Sequence, residues 1–349
     1  MSATSPARVV VVDDSALMRN IVTRSLTKAG IEVVGSAGNG DEALAVCERE
    51  RPDAMTLDLT MPGLDGLGVL RALRERSDHH ISVVVVSAFS AAHGARAVDA
   101  LAEGAFDLVS KPTATESLDA FIENLGAKVK LAAASRRRPR PAQTGVINSG
   151  ATLPPRRPAP AKSAKLVMIA TSTGGPRALA ALVPKLPSPL GIGTLIVQHM
   201  PAGFTESLAT RLNASSTLNV REATGGEQLD PGVALLAPGG RHLRLARDGR
   251  TTLTDEPAVG GLRPRADLLI EDAARAYGDR MLLVVLTGMG NDGLRGAREV
   301  HRRGGRILVE SEESCTVFGM PRAIVDGGLA DDVLDLGRLA QAIANEARA

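Results

Sequence analysis

The sequence predicts an α/β protein built from two doubly wound parallel-sheet domains. Short apolar runs rich in β-branched residues recur along the chain, helical patterns separate them, and a basic Pro-rich tract divides the series in two. Alternation of strands and helices is typical of parallel sheets covered by helices on both faces. A length of 349 residues suits two cores. We therefore predict a first domain at 1–134, a linker at 135–164 and a second domain at 165–349.

The first domain contains five short apolar runs that predict strands, each preceding a turn or a helical pattern. They are Arg8–Val12, Val33–Gly35, Ala54–Leu57, Ile81–Val86 and Asp107–Val109. Polar residues follow four of these runs within two positions: Asp13, Asp14, Asp58, Ser87 and Lys111. Because the carboxyl ends of parallel strands meet at one edge of a sheet, we expect these five residues to lie together.

Three carboxylates at one edge repel each other unless a cation neutralises them. A hard divalent ion with oxygen ligands, Mg²⁺ above all, is suited to that role. Lys111 adds a positive charge and Ser87 a hydroxyl donor, so the cluster could hold a phosphoryl group on a carboxylate nucleophile. Each acid taken alone could instead be an ordinary helix cap.

Four motifs of the first domain resemble those of a response-regulator receiver domain, over about residues 7–130. They are Val-Val-Asp-Asp-Ser at 11–15, Leu-Asp-Leu-Thr-Met-Pro-Gly at 57–63, Ser-Ala at 87–88 and Ser-Lys-Pro at 110–112. The resemblance implies a flavodoxin-like fold in which Asp58 accepts phosphate from a histidine kinase. It also implies site roles for five further residues: Asp13 and Asp14 in the Mg²⁺ site, Ser87 in coupling, Lys111 on the phosphoryl oxygens, and Phe106 as the aromatic switch.

Residues 135–165 carry eight basic residues and six prolines but no Asp or Glu. Such a tract is typical of an extended, self-repelling linker, which we favour over a nucleic-acid-binding arm. The scarcity of aromatic residues, with no Trp and one Tyr, also argues against stacking on single-stranded nucleic acid.

Three residues of the second domain each lie a few positions beyond a predicted buried strand. Ser172 follows the run from Leu166, His199 follows Gly193–Val197, and Asp292 follows Met281–Leu286. In one parallel sheet they would share an edge, where an imidazole could activate a serine and a carboxylate could orient the imidazole. The alternatives are that Ser172 only caps a helix, that His199 is structural, or that His242 or His301 is the base, although we expect His301 to be exposed.

The remaining pattern of this domain predicts helices at Phe204–Leu212 and Arg265–Tyr277. Val233–Ala237 and Leu243–Leu253 predict an antiparallel hairpin, with turns at Gly239-Gly240 and Asp248-Gly249.

A competing motif lies at 288–293, where Gly-Met-Gly-Asn-Asp-Gly matches the Gly-x-Gly-x-x-Gly fingerprint of dinucleotide binding, with Glu310 further on. Against this interpretation, Asp292 would place a carboxylate where a pyrophosphate must bind.

Five motifs of the second domain resemble the chemotaxis protein-glutamate methylesterase domain, over essentially all of residues 165–345. They are Thr-Ser-Thr-Gly-Gly at 171–175, Val-Gln-His-Met-Pro at 197–201, Ala-Pro-Gly-Gly-Arg-His at 237–242, Leu-Thr-Gly-Met-Gly-Asn-Asp-Gly at 286–293 and Val-Phe-Gly-Met-Pro at 317–321. The resemblance implies a Rossmann-like domain that hydrolyses methyl esters of chemoreceptor glutamates through an acyl-Ser172 intermediate. Deamidation of receptor glutamines is implied as well, and no cofactor is needed for ester hydrolysis.

The chain departs from that family pattern at two positions. Ala170-Thr171 stands where Gly-Ala is usual, and Arg265 where a small residue is usual. Both lie outside the predicted triad, so we expect them to affect substrate fit more than chemistry. The backbone N–H groups of Thr173 and Met289 are candidates for an oxyanion hole, because each follows a strand end beside a predicted helix start.

We expect the unphosphorylated receiver to cover the Ser172 edge and phosphorylation of Asp58 to release it. Two other functions compete: a receiver-linked transcription regulator, and an adaptor without catalysis. The two cysteines, Cys47 and Cys315, have no metal-ligand spacing, and the sequence shows neither a signal peptide nor a run long enough to span a membrane. We therefore expect a cytoplasmic protein without direct membrane insertion.

Overall fold

The computed structural model describes residues 6–75, 80–88, 91–112, 117–135 and 165–347. The chain forms two compact units, 1–140 and 141–349. The predicted linker lies outside the described residues except for Ser135, so its extent stays a prediction. None of the described helices combines the length and the hydropathy needed to cross a lipid bilayer.

The first unit has a parallel five-stranded sheet in the order β2-β1-β3-β4-β5. Its strands are β1 (Arg8–Val12), β2 (Glu32–Ala37), β3 (Ala54–Leu57), β4 (Ser82–Ser87) and β5 (Asp107–Ser110). Its helices are α1 (Ala16–Lys28), α2 (Gly40–Glu50), α3 (Gly66–Glu75), α4 (Ala91–Glu103) and α5 (Leu118–Ser135). The central strands β3 and β4 are buried along their whole length, which fits the apolar side chains that dominate both, with four successive valines in β4.

The second unit has a parallel seven-stranded sheet in the order β14-β13-β12-β6-β7-β9-β8, and a separate antiparallel pair, β10-β11. Its strands are β6 (Leu166–Thr171), β7 (Thr194–Gln198), β8 (Asn219–Glu222), β9 (Val233–Leu236), β10 (His242–Leu245), β11 (Thr251–Thr254), β12 (Met281–Val285), β13 (Arg306–Glu310) and β14 (Asp332–Leu334). Its helices are α6 (Gly175–Leu182), α7 (Phe204–Ser215), α8 (Ala266–Tyr277), α9 (Leu294–Arg302), α10 (Met320–Asp326) and α11 (Leu336–Ala347).

The α/β class and the two doubly wound sheets are confirmed, but the predicted hairpin is partly wrong. Val233–Leu236 is β9, which pairs in parallel with β7 and β8 inside the main sheet. The antiparallel pair is formed by β10 and β11 alone, and it turns at Asp248-Gly249, where Gly249 has φ +82°. The Gly239-Gly240 turn instead joins the sheet to this hairpin, and its Gly239 packs against the backbone of Met200 and Pro201.

The chain winds in opposite directions from β6: β7 and β9 lie on one side and β12 and β13 on the other. In open parallel sheets, a crevice forms at the carboxyl ends of strands where the winding reverses. The edge beyond β6 and β12 is therefore the place where a site is expected.

Candidate active site

Ser172 is the first residue after β6, at this reversal point. Its backbone N–H donates to the Thr287 carbonyl at 3.0 Å, which ties it to the turn that follows β12. That turn approaches closely, because a Cβ built on Gly288 would lie 2.9 Å from the Ser172 Cβ. Only glycine permits this approach of the two backbones.

His199 occupies the same level at the end of the neighbouring strand. Thr171 pairs with Gln198 across β6 and β7, so Ser172 and His199 are the next residues on each strand, about 4.8 Å apart in backbone spacing. The Gln198 side-chain amide donates to the Ser172 carbonyl at 2.9 Å and to the His199 carbonyl at 3.1 Å. A single buried side chain thus holds both turns in register.

The imidazole of His199 contacts Asp292, with 2.8 Å between Nε2 and Oδ2. Its other ring nitrogen, Nδ1, is buried and has no hydrogen-bond partner among the described residues. Because a carboxylate can only accept, Nε2 carries the proton and Nδ1 keeps its lone pair. Nδ1 is therefore the nitrogen able to act as a base.

Asp292 is held ionised despite its burial. Burial alone would raise the pKa of this carboxyl, but the hydrogen bond and charge of His199, with the N–H groups of Asp267 and Ala266, bring the pKa to about 2. The Ala266 N–H donates to Oδ2 at 2.7 Å and the Asp267 N–H to Oδ1 at 2.9 Å. A fixed anion of this kind orients an imidazole and stabilises its protonated form.

The two rival histidines do not reach this arrangement. His242 is fully buried in β10, where Nδ1 accepts from the Arg265 N–H and Nε2 contacts the Pro257 carbonyl, each at 3.2 Å. Both nitrogens of His242 therefore have backbone partners. His301 lies in α9 and is half-buried, so the expectation that it is exposed is wrong.

The first turn of α9 is closed to a pyrophosphate, which argues against the dinucleotide interpretation. The Gly293 N–H donates to Asp292 and Asp267, and the Gly296 N–H donates to Asp267. Glu310 is fully buried and accepts from the Thr287 N–H at 2.8 Å, so it cannot reach a ribose. These carboxylates occupy the helix N–H groups that a dinucleotide site requires.

In the first unit, Asp13, Asp14 and Asp58 present carboxylate oxygens that lie within 4.8 Å of one another. Lys111 Nζ lies 2.7 Å from Oδ2 of both Asp13 and Asp58. Burial raises the pKa of Asp13 against the lowering effect of Lys111. Although burial alone would lower the pKa of Lys111, its hydrogen bonds to the two carboxylates raise it.

Ser87 and Phe106 differ in their relation to this cluster. Ser87 ends β4, is buried, and pairs with Ser110 beside Lys111. Phe106 precedes β5, and its N–H donates to the Val83 carbonyl at 2.7 Å. Val83 lies four residues before Ser87, roughly 13 Å along the strand. Phe106 therefore lies at the end of β5 away from Ser87, and its role as the aromatic switch stays a prediction.

The geometry agrees with comparisons to known proteins. The family model described as CheB methylesterase matches residues 167–343, and that of the response regulator receiver domain matches residues 9–123. This chain belongs to the CheB methylesterase family. A protein-glutamate methylesterase/protein-glutamine glutaminase of Myxococcus xanthus is 46% identical over 340 residues, covering 95% of each chain. One of Symbiobacterium thermophilum is 40% identical over 354 residues, covering 97% of this chain and 96% of its own.

A solved structure of the same family matches the second unit. The crystal structure of the Thermotoga maritima CheB methylesterase catalytic domain superposes with a TM-score of 0.51 at 41% identity. It covers 52% of this chain and 98% of its own. The second unit therefore has the fold of a known CheB methylesterase catalytic domain.

The oxyanion-hole candidates of this CheB-type domain flank Ser172. Thr173 is buried, and its carbonyl accepts from the Thr287 hydroxyl at 2.9 Å. Met289 follows Gly288, the residue whose backbone approaches Ser172, and its side chain is 39% exposed. Their role as oxyanion donors stays a prediction.

Two residues at the start of α8 contact Asp292, although neither is part of the triad predicted from the sequence. Arg265, which we expect to affect substrate fit more than chemistry, places its Nε 2.8 Å from Asp292 Oδ1. Asp267 is buried and accepts from two N–H groups of α9. The only sequence signal for Asp267 is an acidic residue in the first turn of a predicted helix, which is common.

Proposed function

We propose that this chain is a phosphorylation-activated protein-glutamate methylesterase. Its substrates are the methyl esters of glutamate side chains on chemoreceptors, and its second activity is the deamidation of receptor glutamines. The observation that carries the proposal is the Ser172, His199 and Asp292 arrangement at the reversal point of the sheet, with the His199–Asp292 contact of 2.8 Å. The names of the relatives, which are similar along nearly their whole length, support the choice of substrate.

The proposed reaction has two halves. Ser172 Oγ attacks the ester carbonyl while His199 Nδ1 takes its proton, and N–H groups such as those of Thr173 and Met289 stabilise the oxyanion. His199 then protonates the methoxide leaving group, so methanol departs and an acyl-Ser172 ester remains. Water, deprotonated by the same Nδ1, cleaves that ester to give the glutamate carboxylate and free Ser172. Deamidation follows the same course with ammonia as the leaving group.

The receiver cluster is proposed to control this activity. Asp58 would take a phosphoryl group from a histidine kinase, with Lys111 on the phosphoryl oxygens and Ser87 responding to them. The donor set of Asp13, Asp14 and Asp58 fits Mg²⁺, since it offers three hard oxygen ligands in close range. When bound, Mg²⁺ would neutralise the carboxylates and the phosphoryl oxygens. We propose that the protein acts in the cytoplasm, without nucleic-acid partners.

Methanol release from methylated chemoreceptor membranes tests the proposal. The wild type should release methanol faster with Mg²⁺ and a small phosphodonor, and Ser172→Ala should lose at least about a thousandfold in rate. Ser215→Ala, which alters an exposed serine at the end of α7, is the matched control and should retain full activity. If the wild type released no methanol while Asp58 still took up phosphate, the chain would be an adaptor and the esterase proposal would fall.

A further inference from the structure

We propose that Arg265 is a positioning residue that fixes the orienting carboxylate, Asp292, and sets the pH range in which His199 acts as a base. This inference rests on the proposed function, and it adds a fourth side chain to the three predicted from the sequence. It is carried by a set of contacts at the joint between α8 and α9.

Arg265 reaches both buried carboxylates at this joint. Its Nε lies 2.8 Å from Asp292 Oδ1, and its Nη2 lies 2.9 Å from Asp267 Oδ2. The remaining nitrogen, Nη1, donates to the Val259 carbonyl at 3.3 Å. The side chain is only 17% exposed, so its charge acts where water screens poorly.

The two carboxylates cap each other's helices, which brings like charges together. Asp292 precedes α9 but accepts the first N–H groups of α8, whereas Asp267 lies in α8 but accepts from Gly293 and Gly296 at the start of α9. Both acids are buried, at 2% exposure each. Two such anions repel, and Arg265 is the cation that touches both.

The two carboxylate oxygens of Asp292 have different partners. Oδ1 forms an ion pair with Arg265 and accepts hydrogen bonds from the N–H groups of Asp267 and Gly293. Oδ2 faces the Ala266 N–H and the ring of His199. The carboxylate therefore cannot rotate without breaking several contacts, which keeps the imidazole in one orientation.

The charge of Arg265 also opposes protonation of His199. Asp292 and Asp267 together favour an imidazolium, and the guanidinium offsets part of that field. His242 also borders Arg265, and because its Nδ1 accepts from the Arg265 N–H, that nitrogen carries no proton. When an uncharged residue replaces Arg265, His199 should keep its proton to higher pH and should therefore act as a base over a narrower pH range.

The pH profile of kcat/KM separates this role from a structural one. In Arg265→Met and Arg265→Gln, the midpoint of the acidic limb should move up by about one pH unit, with a lower kcat. Arg265→Lys keeps the charge and should hold the midpoint near that of the wild type. The matched control is Arg263→Met, two residues earlier, because Arg263 donates to backbone carbonyls of Asp255 and Glu256 and does not contact Asp292. A lower kcat with an unmoved midpoint in both neutral variants would overturn the proposal.

A titration that needs no catalysis keeps this inference distinct from the proposed function. The ring C–H signal of His199 would be followed by NMR in Ser172→Ala, with and without Arg265→Met, and assigned by its loss in His199→Gln. The midpoint should again rise by about one pH unit when the charge is removed. If the wild type released no methanol and the midpoint of the His199 titration still rose on Arg265→Met, the proposed function would be wrong and the role of Arg265 would stand. If the wild type were active and the midpoint did not rise, the proposed function would stand and the role of Arg265 would be wrong.

Discussion

Among single residues, Glu310 is a buried carboxyl that binds the turn after β12, which in turn holds the Ser172 backbone. Its Oε2 accepts from the Thr287 N–H at 2.8 Å and its Oε1 from the Ser314 hydroxyl at 3.0 Å. Thr287 in turn accepts from the Ser172 N–H through its carbonyl. Burial raises the pKa of Glu310 above its usual value, although these hydrogen bonds act against the rise. Burial of the Glu310 carboxyl is therefore unfavourable for its charged form, but its hydrogen bonds anchor the turn that holds Ser172.

Two replacements of Glu310 should distinguish the contribution of its hydrogen bonds to stability from the effect of its charge. Glu310→Ala leaves the buried Thr287 N–H unpaired, so we expect a loss of about 1–3 kcal/mol of unfolding free energy and a lower kcat. Glu310→Gln keeps an acceptor for Thr287. Because the folded-state pKa is raised, the wild type loses stability as the pH rises from the unfolded pKa towards the folded one. The advantage of Glu310→Gln over the wild type should therefore be larger at about pH 8 than at about pH 5.

Denaturant unfolding of the three proteins at both pH values measures this difference. An equal stability gap at the two pH values would show that Glu310 titrates alike in the folded and unfolded chains. Loss of activity in Glu310→Gln as complete as in Glu310→Ala would show that the charge itself is needed.

The triad residues predicted from the sequence share one property that Arg265 and Asp267 lack. Ser172, His199 and Asp292 each follow a strand whose burial is evident from its composition, and parallel topology then places them at one edge. Arg265 and Asp267 begin a helix 25 or more positions before Asp292, and no strand pattern indicates which helix start will meet that edge.

At the scale of elements, the packing of α8 on α9 sets the distance between Asp292 and its donors. Gly296 lies at the crossing, where an added Cβ would be 2.6 Å from Cβ and Cγ2 of Ile270. Gly296→Ala should therefore push the helices apart, which costs about 1–3 kcal/mol and moves the N–H groups of Ala266 and Asp267 away from Asp292. We expect a lower Tm and a kcat reduced by about tenfold or more.

Gly337→Ala is the control for this helix substitution. Gly337 lies in the first turn of α11, where the nearest atom to a new Cβ is a carboxylate oxygen of Asp335 at 3.1 Å, the end of a flexible side chain. That variant should keep its activity and gain slightly in stability, because alanine is the better helix former. Equal behaviour of the two variants in melting curves and in methanol release would contradict the importance of the α8–α9 crossing.

Element types were predictable where apolar runs were long, and pairing was not. The strand at Ala54–Leu57 was predicted with its observed bounds, because it is buried on both faces and Thr56 is its one polar residue. The run at 233–237 was also recognised as a strand but assigned to a hairpin. A short apolar strand beside a Gly-Gly turn suits an antiparallel partner as well as a parallel one, and only the packing of Gly239 on Met200 and Pro201 distinguishes them. The polar edge strands β8 and β14 have no apolar run to reveal them.

At the scale of the whole molecule, the proposed control depends on a receiver tethered to an esterase. A tether raises the effective concentration of one domain near the other, so even a weak contact could cover the Ser172 edge. Phosphorylation of Asp58 would then act by weakening that contact. The catalytic half is expected to fold alone, since the Thermotoga maritima structure of that domain matches only the second unit.

Occlusion by the receiver predicts that removing it raises activity. Residues 165–349 alone should release methanol faster than the unphosphorylated full chain, and the full chain with Mg²⁺ and a phosphodonor should approach the rate of the fragment. Asp58→Asn should keep the basal rate of methanol release but show no increase with the phosphodonor. That result would show that the phosphodonor acts through the Asp58 carboxylate. A folded fragment that is no faster than the unphosphorylated full chain would exclude simple occlusion. If the phosphorylated full chain were then faster than the fragment, the receiver would be an activator. Relief of occlusion can restore only the rate of the free domain, and a higher rate requires an interaction that favours the active state of the esterase site.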